Sequence, residues 1–324
     1  MAAIAFLFPG QGAQSVGMGR DIADTWPEAR AVFEIVDEAL GERLSALIWE
    51  GPQDELTLTR NAQPALMATS LATLRALEGE GVPADAADFV AGHSLGEYSA
   101  LAAAGALDIA EAARLLRLRG EAMQAAVPVG EGAMAAILGL DLAAVEEIAA
   151  EAAEAGICEA ANDNDPAQVV ISGHKAAIER AVALARERGA KRAVMLPVSA
   201  PFHSALMQPA AERMAAALAE ATIRPPRVPL VANVTAAPVQ DPETIRRLLV
   251  EQVTGRVRWR ESVARMAGEG VTLAAEIGAG KALSGMVRRI ARSIECAPTG
   301  TAEGVRKAAE RIRAAIEQKG EGNV

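Results

Sequence analysis

Aromatic side chains are scarce in this sequence: five Phe, three Trp and one Tyr make up 3% of its 324 residues. Base stacking, a common way of gripping single-stranded nucleic acid, therefore has little to work with. Positive charge is in deficit too, with 32 Lys and Arg against 42 Asp and Glu and a formal net charge of −10. The field that a phosphate backbone requires is missing overall, and no nucleic-acid partner is expected. Cysteine occurs only at Cys158 and Cys296, neither at metal-ligand spacing from a partner Cys or a His. That excludes a disulfide framework and a zinc-finger pattern, and both thiols read as reduced core residues. No apolar run is long enough to cross a membrane without charge, and the N-terminal run stops at Pro9-Gly10 with no basic stretch before it. A cytoplasmic protein with no membrane partner is the expectation. Nothing in the pattern asks for a metal or a tightly bound cofactor.

What is abundant is small apolar side chain: 51% of the residues are apolar, many of them Ala. A chain of this length can bury one large core and a smaller one, and Ala-rich helical faces pack closely. Ile4 to Phe8 reads as a buried strand that enters a tight loop at Pro9-Gly10-Gln11-Gly12. Helical spacing follows from Ala62 to Leu77. A short strand from Asp88 to Ala91 then feeds Gly92-His93-Ser94-Leu95-Gly96 and a helical run through Ala104.

Between Ala133 and Pro197 the pattern changes to strand 133–139, helix 141–155, strand 157–161, strand 168–172, helix 174–188 and strand 193–197. That βαββαβ order predicts a ferredoxin-like unit, and α/β material lies on both sides of it. The expected organisation is a discontinuous larger domain, 1–128 and 198–318, with 129–197 inserted and a flexible tail at 319–324. Beyond Pro201, helical periodicity from Leu206 to Ala221, a strand from Val228 to Asn233 and further helices complete the larger unit.

Gly92-His93-Ser94-Leu95-Gly96 fits G-x-S-x-G, in which flanking glycines let the chain turn so sharply that the serine hydroxyl projects from a strand-helix corner. The same letters also describe an incidental Gly-rich turn; the strand before and the helix after favour the functional reading. A serine hydroxyl needs a base, most often His, and the sequence offers three. His93 adjoins the serine and should point away from it, and His174 opens a helix of the inserted unit. His203, in the loop Val198-Ser199-Ala200-Pro201-Phe202-His203-Ser204, remains as the best base, although a lone loop His is commonly structural. On the helix from Ile109 to Val127, Arg114 and Arg117 share a face with Glu121. Arg119 falls on the opposite face, among Leu115, Leu116, Ala122 and Met123. An unpaired buried guanidinium is costly, so an anion from elsewhere should meet it; a carboxylate from another segment would serve as well as a ligand.

Taken together, Phe8-Pro9-Gly10-Gln11-Gly12-Ala13-Gln14, Gly92-His93-Ser94-Leu95-Gly96-Glu97, Arg119-Gly120 with Met123-Gln124, Asn162 with Gln168-Val169-Val170-Ile171-Ser172-Gly173, Pro201-Phe202-His203 and Glu251-Gln252 resemble the malonyl-CoA:acyl carrier protein transacylases. The acyltransferase domains of polyketide and animal fatty-acid synthases are related to them. The resemblance runs over nearly the whole chain. It implies an α/β fold, with a large α/β-hydrolase-like domain carrying a parallel sheet and an inserted ferredoxin-like domain. It also implies transfer of malonyl from malonyl-CoA to the phosphopantetheine thiol of acyl carrier protein; a monomer is the expectation, although the sequence itself does not reveal the oligomeric state.

The site residues that the resemblance implies are Ser94 as nucleophile, His203 as base, the N–H groups of Gln11 and Leu95 as oxyanion hole, and Arg119 as ligand of the malonyl carboxylate. Met123, Asn162 and Phe202 would line the substrate site, and Gln252 would position His203 through its main-chain carbonyl. Ser204 stands where many bacterial enzymes carry Cys. Phe202 stands where Phe accompanies malonyl choice and Ser accompanies methylmalonyl in the polyketide relatives, whereas bacterial enzymes carry Ser. The alternatives are service to a polyketide pathway with a related extender unit, a serine hydrolase or thioesterase using the same elbow, and a scaffold with a vestigial site. The hydrolase order of Ser, Asp and a late His fails, because no His follows residue 203.

Overall fold

In the computed structural model, which describes residues 3–198 and 200–321, the apolar run at the start of the chain is a strand. In chain order the strands are β1 (Ala3–Phe8), β2 (Phe89–Gly92), β3 (Gly132–Leu138), β4 (Cys158–Asp165), β5 (Gln168–His174), β6 (Arg192–Met195), β7 (Leu230–Val231), β8 (Pro238–Val239), β9 (Val271–Glu276) and β10 (Glu295–Pro298). They form two sheets, β10-β9-β1-β2-β7-β8 and β4-β5-β3-β6.

The larger sheet is parallel except for β8, which runs antiparallel to β7 at one edge. Parallel sheets bury both faces, which is why β1 reads as an unbroken apolar run. Ile4, Phe6 and Phe8 face one core, together with the helices Pro27–Leu40, Thr59–Gly79 and Ile109–Ala125. Ala5 and Leu7 face another, filled by Trp259, Val263, Leu283 and Val287 of the helices Trp259–Gly268 and Ala282–Ile290. Helix Thr59–Gly79 is buried almost all round, so the polar residues on it need internal partners.

The second sheet is antiparallel throughout. Its strand order is the ferredoxin-like one, so the expected α/β fold with a parallel-sheet domain and an inserted ferredoxin-like unit is what forms. One face, Ala133, Ala135 and Ile137 of β3, packs on Val145 and Ile148 of helix Leu142–Ala152 and on Ile178 and Ala181 of helix Lys175–Glu187. The other face, with Met134, Ala136 and Val170, joins the main core beside Val127 and Phe202.

Three elements depart from the sequence reading. The strand expected to end at residue 161 continues to Asp165. Its polar residues Asn162, Asp163, Asn164 and Asp165 resemble a loop, but they are buried at the seam between the sheets, where each of the last three finds a partner. The strand expected over 228–233 shrinks to Leu230–Val231, because Asn233 leaves the ladder to bond the serine turn. Finally, helix Ala302–Glu321 runs on through Lys319, whose ammonium pairs with Asp88. Of the tail expected from Lys319, residues 322–324 lie outside the described residues, as does Ser199 of the loop before His203.

Candidate active site

β2 ends at Gly92 and the next helix begins at Gly96. Ser94 sits between them with φ +54°, a left-handed conformation that L residues adopt at a cost of about 1–2 kcal/mol. The glycines are there because no space exists for a Cβ. One on Gly92 would lie 1.9 Å from the Gly96 carbonyl, and one on Gly96 would lie 2.3 Å from the carbonyl oxygen of Phe8. Asn233 then fixes the turn: its Oδ1 accepts from the Ser94 N–H at 2.8 Å and its Nδ2 donates to the Gly92 carbonyl at 2.7 Å.

Ser94 Oγ and His203 Nε2 are 2.8 Å apart. His203 is 4% exposed and holds φ +56°, so the loop turns sharply here as well. Its Nδ1 lies 2.8 Å from the Gln252 carbonyl oxygen and 3.1 Å from that of Gly255. Carbonyl oxygens only accept, so the proton belongs on Nδ1 and the lone pair of Nε2 faces the serine. Burial, then the nearby Arg119 charge, lowers the imidazole pKa to about 3, and the ring is neutral at physiological pH, its Nε2 lone pair free to take a proton. A hydroxyl held against such a nitrogen is the arrangement nucleophilic catalysis requires.

Arg119 is 1% exposed, as its helical face demands. Gly120 makes that location reachable: a Cβ there would stand 2.6 Å from Cα of Arg60, so the helices Ile109–Ala125 and Thr59–Gly79 touch backbone to backbone. The guanidinium is braced on both sides. Nη1 donates to Gln63 Oε1 at 2.8 Å and Nη2 to Gln252 Oε1 at 2.8 Å, while Nη2 also reaches Ser94 Oγ at 3.2 Å. Nε has no partner. No carboxylate pairs with the guanidinium directly among the described residues, so a fork with donors to spare stands beside the serine hydroxyl. Burial lowers its pKa, opposed by Tyr98 and Glu97; an arginine remains charged all the same.

The remaining expected residues divide. Gln252 is fully buried and touches Ser94, His203 and Arg119. Leu95 is buried at the start of the helix, and Gln11 is half-buried with its side chain on Thr59. Met123 is buried and accepts, through sulfur, from Gln63 Nε2 at 3.8 Å. Phe202 is buried in the main core next to His203. Asn162 lies in β4, bridging to Val257; it is Asn164, two residues on, that reaches the serine turn, through His93 Nε2 at 2.8 Å. His93 lies against Trp259, and His174 accepts from the Ile157 N–H within the inserted unit.

Sequence reasoning passed over Gln63, Glu97, Asn164 and Asn233. The signal in each case is a polar residue inside a buried run, which specifies a partner without naming it. A cleft of about 470 Å³ opens onto His203, with Thr254 and Arg256 on one wall and Glu146, Cys158 and Ala160 of the inserted unit on the other. Among the described residues, no group of three or more His, Cys, Asp or Glu is placed to hold a metal, and no helix is long and apolar enough to cross a membrane.

Residues 5–320 match the model of the acyl transferase domain family. The chain is 46% identical over 314 residues to the malonyl CoA-acyl carrier protein transacylase of Bacillus subtilis (strain 168), covering 97% of this chain and 98% of that one. It is 48% identical over 290 residues to the transacylase of Escherichia coli (strain K12), covering 90% and 93%. The crystal structure of an acyl-carrier-protein S-malonyltransferase from Bartonella henselae matches with a TM-score of 0.94 and 56% identity, covering 96% of this chain and 99% of that one. Sequence and fold thus agree from one end of the chain to the other, and the chain belongs to the malonyl CoA-acyl carrier protein transacylase family.

Proposed function

We propose that Ser94 carries the malonyl group between malonyl-CoA and the phosphopantetheine thiol of acyl carrier protein, the reaction by which fatty acid synthesis is supplied with extender units. The observation that supports this most directly is the 2.8 Å contact between Ser94 Oγ and the unprotonated nitrogen of His203. In the first half-reaction Oγ bonds to the thioester carbon as its proton passes to His203 Nε2. The carbon–sulfur bond then breaks, and the proton leaves with the CoA sulfur. In the second, the carrier's thiol gives its proton to His203, its sulfur bonds to the malonyl carbon, and Ser94 departs with the proton returned.

The Ser94 N–H is occupied by Asn233, whereas the N–H groups of Gln11 and Leu95 meet no acceptor among the described residues and are free for the oxyanion. The malonyl carboxylate takes the spare donors of Arg119. Met123 and Phe202 shape the acyl site, with Asn162 at the seam strand beside it. Gln252 orients His203 through its carbonyl. The division into 1–128 with 198–318 and 129–197 rests on the separate core of the second sheet.

A hydrolase would let water take the place of the thiol. The missing triad carboxylate and the braced Arg119 favour the transferase. Comparing CoA release with and without carrier protein decides between the two, and the intact mass after incubation with malonyl-CoA tests the nucleophile. One malonyl group is expected on the protein, none on Ser94→Ala, and stoichiometric labelling of that variant would place the nucleophile elsewhere.

A further inference from the structure

Glu97 is fully buried one turn after Ser94, on the helix that the serine turn initiates. One carboxyl oxygen accepts from Gln252 Nε2 at 2.5 Å and, at 3.4 Å, from the Asn233 N–H; the other has no partner. Burying a carboxyl is costly unless hydrogen bonds compensate it, and only one of these two oxygens is bonded. Its two contacts are the residue that braces Arg119 and orients His203, and the residue that fixes the serine turn.

The Gln252 amide is completely used. Nε2 spends one hydrogen on Glu97 and the other on the Ser94 carbonyl at 2.9 Å, while Oε1 accepts from Arg119 Nη2 at 2.8 Å. The reversed amide would set its oxygen against two oxygens, and its NH₂ against a guanidinium. The bond to Glu97, at 2.5 Å against 2.9 Å for the Ser94 carbonyl, is the shorter of the two anchors on Nε2. It pins the far end of the side chain whose near end meets Arg119.

We propose that Glu97 is a positioning residue for malonyl recognition: by holding the Gln252 amide, it sets the direction of the Arg119 fork and steadies the backbone carbonyl that orients His203. It touches neither the acyl group nor the thiol. Its influence therefore falls on discrimination between acyl groups more than on the intrinsic chemistry at Ser94. The proposal rests on Arg119 being the ligand of the malonyl carboxylate.

The test measures kcat/KM for malonyl-CoA and for acetyl-CoA in Glu97→Leu, Glu97→Gln, Gln252→Ala and the double variant Glu97→Leu/Gln252→Ala, with thermal melting to confirm folding. Glu97→Leu should lower the malonyl-to-acetyl ratio about tenfold. Glu97→Gln, whose amide oxygen still accepts from Gln252, should keep the ratio within about threefold. In the Gln252→Ala background the change at 97 should move the ratio no further. A folded Glu97→Leu that slows both acyl groups equally, or neither, overturns the proposal, as does an additive double variant. Should the leucine variant not fold, a tenfold fall in the ratio of Glu97→Gln overturns it as well. Arg119→Ala is measured alongside. If the ratio survives that change, the reading of Arg119 fails; if it collapses there and holds in Glu97→Leu, only the role of Glu97 fails.

Discussion

Nδ1 of His203 lies 2.8 Å from the main-chain carbonyl oxygen of Gln252, and a neutral peptide group thereby fills the place that a carboxylate takes in a Ser-His-Asp triad. The carbonyl, which can only accept, fixes the same tautomer that a carboxylate would. It adds no negative charge to retain a proton on the ring, so burial and Arg119 hold the imidazole pKa near 3, well below the ordinary 6.5.

The pH dependence of acylation follows. A base is active above its pKa, so kcat/KM for CoA release from malonyl-CoA should stay level from about pH 8 to about pH 5 and fall only as the pH nears that of the buried ring. An apparent pKa at the ordinary histidine value would show that the ring is not desolvated in the free enzyme. Replacing His203 by Ala should slow acylation by about 10²–10⁴-fold at neutral pH.

Arg119 should govern the choice of acyl group. With Arg119 as the carboxylate's ligand, acetyl would leave the buried guanidinium without the anion that malonyl brings, a difference of roughly 2–5 kcal/mol. Arg119→Ala should therefore erase most of the malonyl-to-acetyl preference, chiefly by lowering the malonyl rate. A preference unchanged in competition assays with both thioesters would remove Arg119 from substrate recognition.

Gly96→Ala should destabilise the protein by about 3 kcal/mol, since the new methyl would stand 2.3 Å from the Phe8 carbonyl oxygen and one backbone must yield. Urea unfolding, followed by far-UV circular dichroism, reads this directly. Because the same displacement moves Ser94, active-site titration should show fewer competent sites even where the variant is folded.

Carrier docking is expected at exposed cations that no carboxylate engages, and one such pair can be tested. Arg256, Arg258, Arg260 and Arg289 are engaged by Glu146, Glu261, Asp163 and Asp165, whereas exposed Arg288 and Arg292 pair with no carboxylate among the described residues. Reversing both to Glu should raise the KM for acyl carrier protein far more than that for malonyl-CoA, and added salt should mimic the change. Equal effects on both substrates would locate the docking surface elsewhere.

The parts of this site that are legible in the sequence are those set by local rules. Gly92 and Gly96 announce the turn around Ser94, and helical spacing alone buries Arg119. His203 emerges by elimination among three histidines, while its partner, the Gln252 carbonyl, comes only from the family resemblance. What stays hidden is long-range. Nothing local ties Gln63 to Arg119 across 56 positions or Asn233 to Ser94 across 139, because a polar side chain inside an apolar segment states a need without an address. The β4 segment fails for the same reason: Asp163 and Asp165 look solvated until the arginines of the other unit arrive.

That seam also bears on how the molecule could be re-engineered. Asp163 meets Arg260, Asp165 meets Arg289, and Asn164 meets the histidine that adjoins Ser94. Removing the inserted unit, or exchanging it for one of different sequence, would strand those arginines and free the flank of the serine turn. The insertion is thus tied into the flank of the Ser94 turn, and a chimera that keeps this packing must transplant β4 together with the arginines that receive it.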